Sequence, residues 1–551
     1  MYTISKTIPI IIEDNSPDQV EEIRNAAFSS DGIMSGSFAD IPIYYQSLKR
    51  NNNNNNSSLQ QFHSSVHCIG DNFAPSSESW KYKTCQFRNL CFDTQINDFV
   101  IFTSKEQEEL EKIASNPNLT NAAISTGMSD ANGVSIGGLN PKWGRHVAKM
   151  KWFPKVLKAS DVLYGNDTVS TGIYELPEDV VMVPFHSFAG FNVGHLIWDD
   201  FLPLYTILTT FDLLHSDHVE NKEGMKNYTK DVKRRKNKPL FIRYVLEEIL
   251  WASCEKNIER CYNMMDKFLP LLIGNDGFAL NMSTSVETNV NNSEHEEIKK
   301  GIRLWTTQKY DLSLHADHNG GIALSRFVCA KMGASGFGML TDHGMKKHGW
   351  EPKDYETTHN LNRAESLYNF RNFMMNNIGV STASLSQQIY NERSSPKQHT
   401  IVFSIDSSSI GNRRTRFFSH INRLKQSEVN EKYDIKIMKV QMAEMSMVEQ
   451  IKLISSASIF ITVNGGGAVI SMFLPKGASL FMYYNDEEGR DNTPARLDWD
   501  LINQLGYIRT HWLPRFKKTG AMKGSKTGPL DVDFDVFERL IDHELDIISH
   551  L

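Results

Sequence analysis

The sequence predicts an α/β protein whose C-terminal part is built on a mostly parallel sheet. Three observations carry this. In the stretch 456–484, SASIFITVNGGGAVISMFLPKGASLFMYY, an apolar β-branched run breaks into Asn464-Gly465-Gly466-Gly467. A short apolar helix then runs from Ala468 to Leu474, Pro475 and Gly477 stop it, and a second buried strand follows from Ser479 to Tyr484. Strand, glycine turn, helix and strand make one βαβ unit. The second observation is a regular rhythm from Thr400 onward: strands 400–405, 433–440 and 458–463 alternate with helices 413–424 and 447–455. The third is a separate strand-then-helix block at 180–208, which places a second α/β unit upstream.

With 551 residues the chain is too long for one ordinary domain. A hydrophobic content of 40% and a charged content of 23% are globular values. A net charge of -6 argues against a nucleic-acid binder. No stretch approaches the length that crosses a bilayer, and the N-terminus lacks the pattern of a signal peptide, so the expectation is a soluble chain. Sequons fall at Asn118, Asn166, Asn227 and Asn281, in a chain rich enough in asparagine to produce them by chance. The six cysteines show no C-x-x-C spacing. Cys85 and Cys91 lie close enough in sequence to pair in an oxidising compartment, and free buried thiols are the alternative.

Residues 1–75 include the hexa-asparagine run 51–56 and read as a weakly ordered extension. From Trp80 aromatic and β-rich segments surround two cysteines, and Asp98 to Phe102 is a strand. Val180 to Pro184 is a short buried strand. Behind it Gly194-His195 opens an apolar helix in which Leu196, Ile197, Phe201, Leu204 and Leu208 recur at helical spacing. His195 and Asp199 are four residues apart and share a face, with Asp200 beside them. Three polar groups in the first turn of an apolar helix, at a strand end, are catalytic candidates. The alternative is a satisfied core or capping histidine and a solvated acidic turn that complements the helix dipole.

The stretch 214–238 is polar and reads as a solvated loop, and 239–273 reads as helices. His315 and His318 sit in a turn-like context rather than a metal site. Residues 322–332, with Arg326 and Cys329, lead to a glycine-rich loop at 333–338, and Arg363 to Ile378 is a helix carrying Arg371. The polar stretch 381–399 marks the domain boundary. The strand after it ends in Asp406-Ser407-Ser408-Ser409, followed by Gly411, Arg413 and Arg414. Hydroxyls, a glycine and two arginines at a strand's carboxyl end suit a diphosphate, as do the free N–H groups of a glycine turn. The spacing is neither G-x-G-x-x-G nor that of a Walker loop, so both familiar nucleotide motifs are excluded. A helix from Leu497 to Leu505, a strand at 507–512 and an amphipathic helix at 536–549 close the chain.

Four blocks together, FNVGHLIWDDFLPLY, RFVCAKMGASG, SIDSSSIGNRR and SSASIFITVNGGGAVISMFLPKGASLFMYY, resemble the family 61 glycosyltransferases over about 80–512. The resemblance implies a GT-B-like fold, two Rossmann-like domains facing a cleft: an extension (1–75), an acceptor-side α/β domain (76–390) and a nucleotide-sugar domain (391–551). It implies an inverting transfer of GlcNAc or xylose from a UDP-sugar to a glycan or glycoprotein hydroxyl, with no cofactor or metal and a setting in the Golgi or endoplasmic reticulum lumen. A membrane link would come only through an N-terminal anchor not evident in the chain. His195, Asp199 and Asp200 then become the catalytic candidates. Ser407, Ser409, Arg413, Arg414, Asn464, Gly465, Gly466, Gly467 and Arg326 become the donor-binding ones. The family's glycine block usually begins His-Gly-Ala-Gly, whereas here Asn464 stands first and Gly466 third. An inactive relative acting as a carbohydrate-binding or interaction module is the alternative function. A nicotinamide-dependent oxidoreductase is disfavoured by the missing fingerprint.

Overall fold

The structure is a computed structural model. It describes residues 64–69, 84–94, 96, 98–103, 134–135, 151–158, 173–186, 193–214, 240–245, 258–275, 278–280, 302–306, 326–336, 363–391, 398–405, 417–463, 466–486, 501–516 and 534–551. The His315–His318 turn and the sequons lie outside these residues.

Strands β1 (Ser65–Ile69), β2 (Thr84–Asp93), β3 (Asp98–Thr103) and β6 (Lys155–Lys158) form one side of a ten-stranded sheet. A two-residue ladder, β4 (Val134–Ser135) with β5 (Lys151–Trp152), stands apart from it. The other side holds β8 (Val181–His186), β9 (Leu240–Val245), β10 (Phe278–Leu280) and β11 (Ile302–Thr306). β12 (Phe327–Gly336) joins the two sides, with β7 (Ile173–Glu175) alongside it. β8 runs parallel to β9 and β12, whereas β2 pairs antiparallel with β1, β3 and β12. This mixed pairing differs from the Rossmann-like sheet expected for the N-terminal half.

Several local expectations change here. Residues 65–69, expected in the weakly ordered extension, form β1, and Cys68 lies directly opposite Cys85 and is bonded to it. Cys91 pairs with Cys329 across β2 and β12, at another directly opposed position. Cys85 and Cys91 therefore do not pair with each other. Six residues apart on one extended strand, they are separated by about 20 Å. The glycine-rich stretch after Met332 is the continuation of β12 rather than a loop. A Cβ on Gly333 would lie 2.5 Å from Leu90 Cδ2, so the glycine allows close packing inside the sheet. Residues 240–245, expected to be helical, are strand β9, in keeping with their β-branched and aromatic composition.

The second sheet has five parallel strands: β13 (His399–Ser404), β14 (Ile435–Val440), β15 (Ile459–Val463), β16 (Ser479–Asp486) and β17 (Arg509–Phe516). Their spatial order is β14-β13-β15-β16-β17, the 2-1-3-4-5 order of doubly wound sheets. β15 is buried along its whole length, as a central parallel strand requires. β14 exposes Lys436 and Lys439, and these charges protect the sheet edge.

Seven helices matter to the site and its support. The first is α1 at 193–210, which consists of an α-turn Val193–His195, a π-segment Leu196–Phe201 and an α-helical end Leu202–Thr210. The others are α2 (Ile258–Phe268), α3 (Ala364–Asn377), α4 (Leu385–Asn391), α5 (Phe418–Lys425), α6 (Met447–Ile454) and α7 (Phe534–Ser549). Ser446 and Glu449 cap α6 reciprocally, a start signal readable in the sequence.

One hydrophobic core extends from β8 and β9 through α1, α2 and α3 into the five-stranded sheet and α7. α3 is wedged between the two sheets. Phe370 and Phe373 pack on Tyr205 of α1 at ring distances of 5.2 and 5.4 Å, and Tyr368 packs on Tyr507 at 5.0 Å. β1, β2 and β3 have a smaller core of their own around Phe87, Phe92 and Phe99.

Candidate active site

The doubly wound order has one switch point, between β13 and β15, and in sheets of this kind ligands bind outside the carboxyl ends of the strands at that point. β13 and β15 are direct neighbours, with Phe403 opposite Ile461. The serine- and arginine-rich loop leaves from one strand end and the glycine turn from the other. Ser407, Ser409, Arg413, Arg414, Asn464 and Gly465 lie outside the described residues, but their anchoring strand ends are adjacent. Gly466 and Gly467 open a 3-10 helix, Gly466–Phe473. Its first N–H groups have no partner within the helix and face the start of the element.

The opening turn of α1 supplies the other half of the site. Cα atoms of Val193–His195 come within 8 Å of those in the 3-10 helix Gly466–Phe473. Two elements more than 250 residues apart, one carrying the histidine and one the glycines, thus meet at the joint between the sheets. His195 Nδ1 is 2.5 Å from Asp199 Oδ2. The histidine side chain keeps 15% of its exposure, whereas that of Asp199 is 0%. Asp200 is also fully buried, which excludes a solvated acidic turn. With Nδ1–H donating to Asp199, the neutral imidazole carries its lone pair on Nε2. π winding begins directly after His195, with the Leu202 N–H donating to Ile197 O, five residues back.

Arg326 does not belong to this group. It precedes β12, at the opposite end of the ten-stranded sheet from the carboxyl end of β8. There its Nη2 lies 3.3 Å from Asp93 Oδ2 and its guanidinium stacks on Phe327. Ten residues of strand, about 30 Å, separate the two ends, and the sequence gives no sign of which end a residue occupies. Among the described residues no cluster of histidine, cysteine, aspartate and glutamate could hold a metal ion.

The family model for Glycosyltransferase 61 matches residues 200–481, just over half of the chain. The chain belongs to glycosyltransferase family 61. The matched segment of this glycosyltransferase starts at Asp200, includes the wedge helix α3 and ends inside β16. No curated protein matches it. Among solved structures, an oxidoreductase from Corynebacterium diphtheriae is similar over 28% of this chain and 100% of its own. Their identity is 13% and the TM-score is 0.21, too low to bear on fold or function.

A further residue stands out in the family 61 chain. Arg371 on α3 is fully buried. The sequence carried a signal for it: Arg371 falls on the apolar stripe of its helix, with Leu367 four residues before and Met375 four residues after.

Proposed function

We propose that this glycosyltransferase is an inverting enzyme of GT-B-like arrangement. It moves a sugar, GlcNAc or xylose, from a UDP-sugar to a hydroxyl of a glycan or glycoprotein. The observation that carries this reading is the meeting of the His195 turn with the glycine-led 3-10 helix beside the switch point. The donor diphosphate would lie against the Gly465–Gly467 turn, with Arg413 or Arg414, Ser407 and Ser409 on the facing loop. Asn464 offers a hydrogen bond to a phosphate or sugar oxygen where the family usually has a histidine.

His195 Nε2 takes the proton of the acceptor hydroxyl, and Asp199 stabilises the imidazolium that forms. The acceptor oxygen attacks the anomeric carbon from the face opposite the diphosphate. The C–O bond to the phosphate breaks, and its electron pair leaves with the nucleoside diphosphate. Preorganised N–H groups and guanidinium charge stabilise the leaving group without a metal ion. Cys68–Cys85 and Cys91–Cys329 suit an oxidising compartment and support a lumenal setting. Among the described residues no helix is long and apolar enough to cross a membrane.

A panel of UDP- and GDP-sugars tested for thermal stabilisation, then for transfer and hydrolysis, tests the proposal. One UDP-sugar at about 100 times its Kd should stabilise the fold by about 2.7 kcal/mol, read as a rise in Tm of several degrees. Replacing Arg413 and Arg414 with alanine should weaken that binding several-fold or more. Binding without transfer or hydrolysis would favour the inactive carbohydrate-binding relative. Unchanged binding in the double variant would remove the arginines from the donor site.

A further inference from the structure

Arg371 is a buried cation in a place where burying charge is costly. Among the described residues no carboxylate pairs with it, and its Nε has no hydrogen-bond partner. Two contacts are made. Nη1 donates to Asn372 Oδ1 at 2.7 Å, and Nη2 donates to the carbonyl of Phe473 at 3.2 Å. The guanidinium also lies beside two rings that pack on each other, 5.5 Å from the centroid of Tyr368 and 5.8 Å from that of Tyr507. Burial lowers its pKa, against the opposing influence of Tyr507 and Tyr368.

Phe473 is the last residue of the 3-10 helix whose first residues are Gly466 and Gly467. Tyr507 donates its hydroxyl to Met472 O at 2.6 Å, so the final two carbonyls of that helix are held by α3 and by the segment leading into β17. A helix C-terminus carries unsatisfied carbonyls and partial negative charge, and a cation there is favourable. The same short helix touches the His195 turn. One piece of 3-10 helix thus joins a buried arginine at one end to the glycines at the other.

We propose that Arg371 is a positioning residue for the donor site: by holding the carbonyl end of the 3-10 helix, it fixes where the Gly466–Gly467 end presents its N–H groups. Arg371 touches neither donor nor acceptor. The inference rests on the donor reading given above, but the hold on the helix has its own readout.

The test uses the full chain and two variants, Arg371→Met and Arg371→Lys. Methionine fills much of the volume without the charge, and replacing buried charge by an apolar side chain is often neutral for stability. Lysine keeps the charge and one route to the carbonyl. In Arg371→Met, amide hydrogen exchange across 466–473 should accelerate tenfold or more, with exchange in β13 and β16 unchanged. Affinity for UDP, used as the probe, should fall about tenfold while Tm stays within a few degrees of wild type. Arg371→Lys should recover part of both losses. Wild-type exchange and UDP affinity in Arg371→Met would overturn the proposal. A general loss of Tm with uniform exchange and no recovery by lysine would also overturn it, leaving a purely structural arginine. If the wild type itself does not bind UDP, the donor reading fails, and the exchange data alone decide whether Arg371 holds the helix.

Discussion

Asp199 presents its carboxylate to His195 from a position sealed against water, and that sealing gives the pair its chemical interest. A solvated aspartate would be screened, whereas a buried one fixes the ring and favours the imidazolium as it forms. Asp199→Asn keeps the shape and removes the charge. It should lower turnover by about 10² or more, the scale of a general-base effect, with donor affinity within about twofold. Single-turnover kinetics beside a donor titration would show this, and an undiminished rate would exclude the dyad. The i, i+4 spacing of His195 and Asp199 was legible in the chain because helical geometry alone places them on one face. The π winding and the full burial were not, since both depend on what packs around α1. Arg326 was misplaced for a related reason: pairing with Asp93 joins residues 233 apart in sequence. Arg371 had a legible sign, but its target, the Phe473 carbonyl, is set by tertiary packing.

Among the elements, the long antiparallel ladder of β2 and β12 was the least legible. Gly333 and Gly336 suggest a loop when read locally, and only the close approach of Leu90 explains a glycine inside a strand. The disulfides follow from that ladder, since Cys91 and Cys329 are brought into register by it. Removing this bond with the Cys91→Ser, Cys329→Ser double variant should cost about 2–5 kcal/mol, measured by denaturant unfolding under non-reducing conditions. Recovery of a Cys85–Cys91 linked peptide from native protein would contradict the register itself.

α7 was expected from its amphipathic pattern, but its anchor was not. Glu544, buried on α7, accepts from Ser479, from Arg509 Nε at 2.6 Å and from His511 Nε2 at 2.9 Å. Burial pushes its carboxyl pKa upward, and hydrogen bonds from His511, Ser479 and Arg509 together outweigh this and hold it at about 2. His420 of α5 is held down to about 4, first by burial and then by Arg423. Both groups bind protons more readily in the unfolded chain, so both make the fold less stable as pH falls. His420 acts as pH drops from 6.5 to about 4, and Glu544 from 4.5 to about 2. Each contribution is on the order of 3 kcal/mol. Glu544→Gln should lower stability above pH 4.5 without changing the slope there, and should flatten the curve between pH 4.5 and about 2. A curve as steep as wild type below that point would mean the network does not bear on folding.

At the scale of the whole molecule, two sheets of different character share one core, with α1 and α3 filling the space between them. The five-stranded sheet was legible almost strand by strand. Parallel strands are continuous apolar runs, and the connecting helices carry caps and periodicity of their own. The ten-stranded sheet was not, because antiparallel partners such as β2 and β12 are far apart in sequence and no local pattern names them. What the sequence alone shows is two polar loops after two strands. What the fold adds is that those strands are neighbours at the switch point, and that the His195 turn abuts the helix leaving one of them.

His195→Ala, with donor affinity and turnover of bound donor measured separately on the same preparation, tests this arrangement most directly. Turnover should fall about 10² or more while donor affinity stays nearly unchanged, as a base on the acceptor side requires. Collapse of donor binding with persistent turnover of whatever donor still binds would place His195 on the donor side, and the base elsewhere.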